Sequence, residues 1–211
     1  MPQEDGPTPM ERFLAGILPE NPTYRQILGI CPTLAVSNSM KSAMTMVAAV
    51  GFVMIGSNVL TSLIRKLLKP HLRILVFVLT IAAFVTIADK FLAAYYYSMS
   101  KELGPYVPLI IVNCIIIARC EVCAARQGLL PSVADAIGQT LGFALGLGSL
   151  ATFREILGSG TWFDLRVMPG WWVNWSIMIQ PPGAFIMLGL LMGVANWMGS
   201  RKRKATAASV V

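Results

Sequence analysis

Two of the four cysteines lie inside short apolar stretches, one in each half of the chain. Cys31 lies within residues 27–36, and Cys114 lies within residues 109–118. Both stretches are too short to cross a bilayer as ordinary helices. Paired short segments at corresponding places in two halves are typical of the functional centre of inverted-repeat membrane proteins. Because thiolates are soft metal ligands, the pair predicts a redox metal site within the membrane.

Two thiolates supply only half of the ligands of a cluster that is held by four cysteines. The missing ligands would come from another chain, or the site binds something else. Alternatively, Cys31 and Cys114 simply pack, since cysteine behaves as a small apolar residue and is common in buried positions.

The other two cysteines, Cys120 and Cys123, form a C-x-x-C pattern directly after the second short stretch. This spacing indicates metal binding or redox chemistry. The alternative is that both are small residues packed at an interface.

Three acidic residues, Asp135, Glu121 and Asp89, lie in predicted membrane segments, where charges are costly and usually functional. Asp89 is followed by Lys90, which can neutralise it near the outer surface, so Asp135 and Glu121 are the candidates for an ion path. Asp135 lies in the first turns of a predicted helix, where a carboxylate also interacts favourably with the helix dipole. Its role is therefore either a cation or proton path or a helix start.

The composition indicates an integral membrane protein. Of the 211 residues, 55% are hydrophobic and only 13% are charged, whereas soluble domains are about 25% charged. The length accommodates about six spans of ~20 residues each. The net charge of +7 does not indicate nucleic-acid binding, because basic residues of membrane proteins collect in cytoplasmic loops. Since the polar start lacks a basic region followed by an apolar core, we expect no cleaved signal peptide.

The elements that must position the cysteines form two similar halves. Each half contains one short segment and two long apolar segments, with a polar break at residues 98–104 between the halves. Three spans per half require the second half to be inverted. We therefore predict an all-α integral membrane protein with six transmembrane segments, arranged as two inverted three-helix repeats in which short broken helices carry Cys31 and Cys114. The glycines Gly138, Gly142, Gly146 and Gly148 predict close packing in the second half.

The predicted boundaries follow from the polar ends of the chain. Residues 1–21 form a cytoplasmic N-terminal tail, with a short amphipathic piece from about residue 10 to 18. Residues 22–200 form the membrane domain, with repeats at about 22–98 and 105–200. Residues 201–211 form a basic cytoplasmic tail. The excess of Lys and Arg on one side of the spans places both termini in the cytoplasm.

Several motifs, in order along the chain, resemble those of one family of membrane proteins. They occupy residues 21–22, 28–37, 113–114, 130–132, 135–138, 141–143 and 154–160. The family contains the E subunit of Rnf-type ferredoxin:NAD⁺ oxidoreductases and the D subunit of sodium-pumping NADH:quinone oxidoreductases. Residues 31–33 and 181–185 look more like the Rnf-type member.

The resemblance implies a fold of six segments in two inverted triplets and a homologous sister protein, the A subunit of the same Rnf-type complex. Each sister would donate two cysteines, here Cys31 and Cys114, to one shared [2Fe–2S] cluster. The cluster would relay electrons between cytoplasmic iron–sulfur subunits and flavins bound only by other subunits. The complex would couple ferredoxin:NAD⁺ electron transfer to Na⁺ or H⁺ translocation in the bacterial cytoplasmic (inner) membrane. The chain alone would have no complete active site and no catalytic residue.

The chain departs from the family pattern at residues 118–124. Members usually carry a Gly-Arg-Ala-Glu-Ala-Phe-Ala-like run there, so the resemblance gives Cys120 and Cys123 no ligand role. Three alternatives stay open: the D subunit of a sodium-pumping complex; a secondary ion transporter in which Asp135 and Glu121 carry the ions; and a scaffold whose cysteines only pack.

Overall fold

A computed structural model of the chain describes residues 9–17, 20–65, 70–163, 165–166 and 175–208. Within these ranges the chain is helical except for connections and one short hairpin, in which β1 (Thr161–Trp162) pairs antiparallel with β2 (Leu165–Arg166). The helices are α1 (Pro9–Ile17), α2 (Ile30–Val36), α3 (Met40–Ile64), α4 (Arg73–Tyr95), α5 (Tyr97–Leu103), α6 (Pro108–Ile111), α7 (Cys114–Arg119), α8 (Leu129–Ser159), α9 (Ser176–Ile179) and α10 (Pro181–Ala208).

Three of the described helices are long and apolar enough to cross a membrane: α3, α4 and α8. A fourth crossing is possible where the segments Tyr97–Tyr106 and Pro108–Ala124 follow each other with a bend of 56°. The apolar part of α10, Pro181–Trp197, is shorter. The chain is thus a multi-pass, mostly helical membrane protein, while six crossings and inverted repeats stay predictions.

The core forms where α3 packs against α8, with α4 on α3. Large side chains from all three helices are fully buried there: Met46, Val50, Phe77, Phe143 and Leu147. The second short segment contributes Ile115 and Ile116 to the same cluster. The segment that carries Cys114 is therefore held by the main core rather than by a surface loop.

Three glycines of α8, Gly138, Gly142 and Gly146, face the N-terminal segment. A Cβ atom at Gly138 would lie 2.5 Å from the carbonyl oxygen of Phe13, and one at Gly146 would lie 2.5 Å from the Thr23 Oγ1 atom. The close packing predicted at Gly138, Gly142 and Gly146 is confirmed, and its partner is α1 together with the chain that follows it. At Gly148 it is not, because an added Cβ would make only an ordinary contact with Met40 at 3.6 Å. The predicted amphipathic piece is present as α1, which lies along α8.

Two element boundaries differ from the sequence prediction. Residues 98–104, predicted as a polar break, lie almost entirely in α5, and the interruption falls at Tyr96. The polar side chains are compatible with a helix because α5 buries only Leu103. The last helix does not stop at residue 200 but continues to Ala208, because Arg, Lys and Ala have high helix propensity. The tail and repeat boundaries stay predictions, and residues 1–8 and 209–211 of the two tails lie outside the described residues.

Candidate functional site

Cys31 lies in the first turn of α2, the short helix of the first half. Gly29 precedes this helix with φ 72°, a left-handed conformation that glycine adopts without steric cost. The third residue of α2 is Pro32, which is tolerated in a first turn because the missing N–H would have no helical partner. Local sequence thus fixes where α2 begins, and it places Cys31 at that start.

Cys114 is the first residue of α7, the short helix of the second half. Asn113 caps this helix, because its side-chain oxygen accepts a hydrogen bond from the N–H of Ile115 at 3.2 Å. Asparagine is among the preferred residues at this position. The two cysteines therefore occupy corresponding places, each in the first turn of a short helix that follows an interruption.

The two cysteine-bearing segments meet. The backbone N–H of Gly29 donates a hydrogen bond to the Sγ atom of Cys114 at 2.9 Å. A Cβ atom at Gly29 would collide with the side chain of Ile115, so the close approach requires glycine. Residues 85 positions apart in sequence thereby form one site.

Both thiols of this site are free and exposed. Neighbouring apolar side chains are exposed as well, namely Ile27 at 54% and Val112 at 64%. Within the described ranges, no group of three or more Cys, His, Asp and Glu side chains could hold a metal ion. The described chain therefore offers two thiolate ligands on an exposed face, which fits a metal group that is completed by another chain.

Cys120 and Cys123 belong to a different environment. They lie in one turn of π-helix, Cys120–Ala124, and both are buried. The thiol of Cys120 donates to Asn58 Oδ1 at 3.4 Å, and the thiol of Cys123 donates to Gln127 Oε1 at 3.5 Å. The structure thus keeps this pair inside the protein, as expected for small packed residues.

Asp135 lies in a buried polar cluster that sequence reasoning did not find. Arg119 Nη1 lies 3.5 Å from Asp135 Oδ1, and Arg119 Nη2 lies 3.4 Å from Glu20 Oε2. Asp135 is 1% exposed, whereas the Glu20 side chain is 46% exposed. Neither carboxylate oxygen of Asp135 accepts a hydrogen bond from the described residues. Arg119 thus links a buried acid to an acid near the surface.

A pocket of about 370 Å³ opens beside this cluster, and Glu20, Gln26, Arg119 and Val122 line it. Glu121, the other candidate acid, pairs with a different arginine, because its Oε1 atom lies 3.6 Å from Arg73 Nη1. Its second oxygen is buried without a partner among the described residues. The two candidate acids are therefore held by separate ion pairs.

The polar connection between α1 and α2 holds the N-terminal segment against α8. Asn21 donates from Nδ2 to the carbonyls of Ile17 at 3.2 Å and Gly142 at 3.1 Å. Its Oδ1 atom accepts from the N–H groups of Thr23 and Tyr24, each at 3.1 Å. One buried amide thus satisfies four backbone groups and places Glu20 next to Arg119.

Comparison with known proteins agrees with the resemblance inferred from the motifs. The family described as "Rnf-Nqr subunit, membrane protein" matches residues 9–192. The E subunit of a Na⁺-translocating ferredoxin:NAD⁺ oxidoreductase complex from Acetobacterium woodii is 46% identical over 188 residues, covering 89% of this chain and 96% of that protein.

Two other relatives represent both branches of the family. The D subunit of a Na⁺-translocating NADH-quinone reductase from Aeromonas hydrophila is 42% identical over 185 residues, covering 85% of this chain and 88% of the relative. The E subunit of an ion-translocating oxidoreductase complex from Methanosarcina acetivorans is 37% identical over 203 residues, covering 92% and 93%. The chain belongs to the Rnf-Nqr family of membrane subunits.

Proposed function

We propose that the chain is a membrane component of an Rnf-type ion-translocating oxidoreductase, and that Cys31 and Cys114 ligate one half of a [2Fe–2S] cluster shared with a homologous sister subunit. The observation that carries the proposal is the hydrogen bond from the Gly29 N–H to Cys114 Sγ. It brings together the two short helices that bear the cysteines, and both thiols face outward. A partner that supplies two more thiolates would complete a four-cysteine site.

The residues of this chain would hold the cluster and tune it. A [2Fe–2S] cluster supplies one-electron transfer when bound. The thiolates of Cys31 and Cys114 would bind iron, and the Gly29 N–H would remain a donor to the Cys114 sulfur. Hydrogen bonds to cluster sulfurs influence the reduction potential. Asn113 holds α7 in place by capping it, so the sulfur of Cys114 is oriented by a buried neighbour.

The predictions from sequence describe the membrane and the complex in which the chain would act. The chain would have six crossings in two inverted repeats, with both termini in the cytoplasm, in the bacterial inner membrane. Other subunits would bind the flavins and the remaining iron–sulfur clusters. The complex would couple ferredoxin:NAD⁺ electron transfer to Na⁺ or H⁺ movement. The identity to the E subunit from Acetobacterium woodii supports the Rnf type, and the identity to the D subunit from Aeromonas hydrophila keeps the quinone-reducing type as the alternative.

The test is iron content and EPR of the whole complex, purified without oxygen. Cys31→Ser and Cys114→Ser should each remove the same reducible [2Fe–2S] signal, whereas Cys120→Ser should leave it intact. Survival of every signal in an assembled Cys31→Ser complex would contradict the relay and favour a scaffold role.

A second function, ion conduction by this chain without a redox role of its own, is favoured by Asp135 and Glu121. Asp135 and Glu121 both have a buried carboxylate oxygen that lacks a hydrogen-bond partner among the described residues. Such oxygens are ligands that hard cations prefer. Asp135→Asn and Glu121→Gln should weaken the Na⁺ or H⁺ dependence of electron transfer by the complex, with Asp89→Asn in α4 as the control. An ion dependence equal to wild type in both variants would remove these acids from the path.

A further inference from the structure

We propose that Arg154 and Glu155 are positioning residues for Cys31, because they hold the two sides of the break between α2 and α3. The inference rests on the proposed function, in which Cys31 is a cluster ligand. The C-terminal end of α8, which carries Arg154 and Glu155, would set the location of this ligand.

The break creates a need for polar partners. α2 ends at Val36, and α3 begins at Met40. The last carbonyls of one helix and the first N–H groups of the next have no partner within their own helices. In a membrane segment the protein itself must satisfy such groups.

Arg154 satisfies the α2 side. This side chain is 3% exposed, and its Nη1 atom donates to the carbonyl of Leu34 at 3.4 Å and to the hydroxyl of Ser37. Leu34 lies three residues after Cys31, about one helical turn away. The guanidinium therefore fixes α2 one turn beyond the thiol.

The remaining donors of Arg154 fix the guanidinium itself. They reach the carbonyls of Met178 at 3.0 Å, Ile179 at 2.9 Å and Gln180 at 3.4 Å, where α9 meets α10. All five acceptors are neutral oxygens. Arg154 thus connects the end of α2 to a junction of two other helices, which only a planar fork of several donors can do from one position.

Glu155 satisfies the α3 side. Its Oε2 atom accepts a hydrogen bond from the N–H of Met40 at 2.7 Å. A carboxylate at the first N–H groups of a 25-residue helix also interacts favourably with the helix dipole. Consecutive residues of α8 therefore hold opposite sides of one break.

α2 depends on such contacts because it has seven residues. A helix of that length is not stable by itself. Apart from packing, its start is held by the Gly29 N–H bond to Cys114 and its end by Arg154. Loss of the Arg154 contacts should therefore displace Cys31 while leaving the main core in place.

The experiment measures the alkylation rate of each cysteine by N-ethylmaleimide and mass spectrometry, in membranes that contain the assembled complex. In the wild-type complex the proposed cluster and sister subunit would cover Cys31, so displacement of α2 should expose it. Arg154→Gln should therefore raise the rate at Cys31 by about tenfold, the effect expected when a hydrogen bond from a charged donor is lost. The rates at Cys120 and Cys123 should stay at the wild-type value. Arg154→Lys should give a smaller increase, since it keeps the charge but not the fork.

Two further variants sharpen the comparison. Ser37→Ala removes one acceptor of Arg154 with little change in volume, so it should also raise the alkylation rate at Cys31. It provides the test if the Arg154→Gln complex does not assemble. Arg65→Gln is the matched control. Arg65 follows the last residue of α3 and donates to the carbonyl of Gln127 in the connection before α8, so its loss should leave Cys31 at the wild-type rate.

Wild-type Cys31 rates in Arg154→Lys and Ser37→Ala would overturn the inference. So would an equal increase at all four cysteines, which would indicate general loosening of the chain. Iron content and EPR of the same wild-type preparation test the proposed function separately. A wild-type complex without a cluster at Cys31 would contradict that function, while the alkylation rates would still decide the role of Arg154.

Discussion

At the scale of single residues, Gly29 has a backbone conformation and surroundings that exclude a side chain. We predict that Gly29→Ala destabilises the chain by about 1–2 kcal/mol through its left-handed conformation alone, and by more through collision with Ile115. It should also weaken or alter the [2Fe–2S] EPR signal, because the donor to Cys114 moves.

The control for this substitution is Gly193→Ala. Gly193 lies within α10, and no atom lies within 4 Å of an added Cβ. Thermal midpoints in detergent and EPR spectra of both complexes make the comparison. A Gly29→Ala complex with wild-type stability and signal would show that the close approach of the two segments is not needed.

Arg119 and Asp135 are a second feature at this scale, because both side chains are at most 5% exposed. We predict that Arg119→Gln costs about 3 kcal/mol, since it removes the arginine that forms an ion pair with this buried carboxylate. The double variant Arg119→Gln/Asp135→Asn should recover most of the loss. Thermal denaturation of the single and double variants in detergent measures the coupling, and a double variant no more stable than Arg119→Gln would show that the pair does not interact.

At the scale of elements, α1 lies so close to α8 that glycine is required at the contact. We predict that Gly138→Val displaces α1, because overpacking of such a contact costs about 1–3 kcal/mol and the nearest atoms belong to the backbone of Phe13. Trypsin should then cleave after Arg12 more rapidly than in the wild-type chain.

The control for Gly138→Val is Gly189→Val in α10, where no atom lies within 4 Å of an added Cβ. It should leave the rate of cleavage after Arg12 unchanged. Equal cleavage in the two variants would mean that α1 is not held by its contact with α8.

At the scale of the whole molecule, the four cysteines divide into an exposed pair and a buried pair. We predict that N-ethylmaleimide modifies Cys31 and Cys114 of the isolated chain in detergent, whereas Cys120 and Cys123 react slowly. In the assembled complex the first pair should be protected, because the proposed sister subunit covers that face. Peptide mass spectrometry of both preparations separates the pairs, and fast modification of Cys31 in an intact complex would argue against an interface there.

Much of this protein follows from its amino-acid order alone. The apolar composition predicted a membrane protein and the motifs predicted the family, and both predictions are confirmed. The positions at which the two short helices begin are set locally by Gly29 and Asn113, whereas the stability of α2 depends on distant contacts. The long helices are likewise visible in runs of apolar residues.

The contacts between distant residues, by contrast, were settled by the packing of the helices. No local pattern indicates that the Gly29 N–H donates a hydrogen bond to Cys114. The same is true of the two ion pairs of Arg119, with Glu20 and Asp135, and of the hydrogen bond from Arg154 to the carbonyl of Leu34. Each contact joins segments far apart in the chain and depends on how α8 packs against α3 and the N-terminal segment. Periodicity and composition report which face of a helix is apolar, but they do not report which polar group on another helix lies opposite. All four cysteines are the same residue type, so the sequence does not show which of them are buried. The packing of the helices buries Cys120 and Cys123 and leaves the other pair exposed.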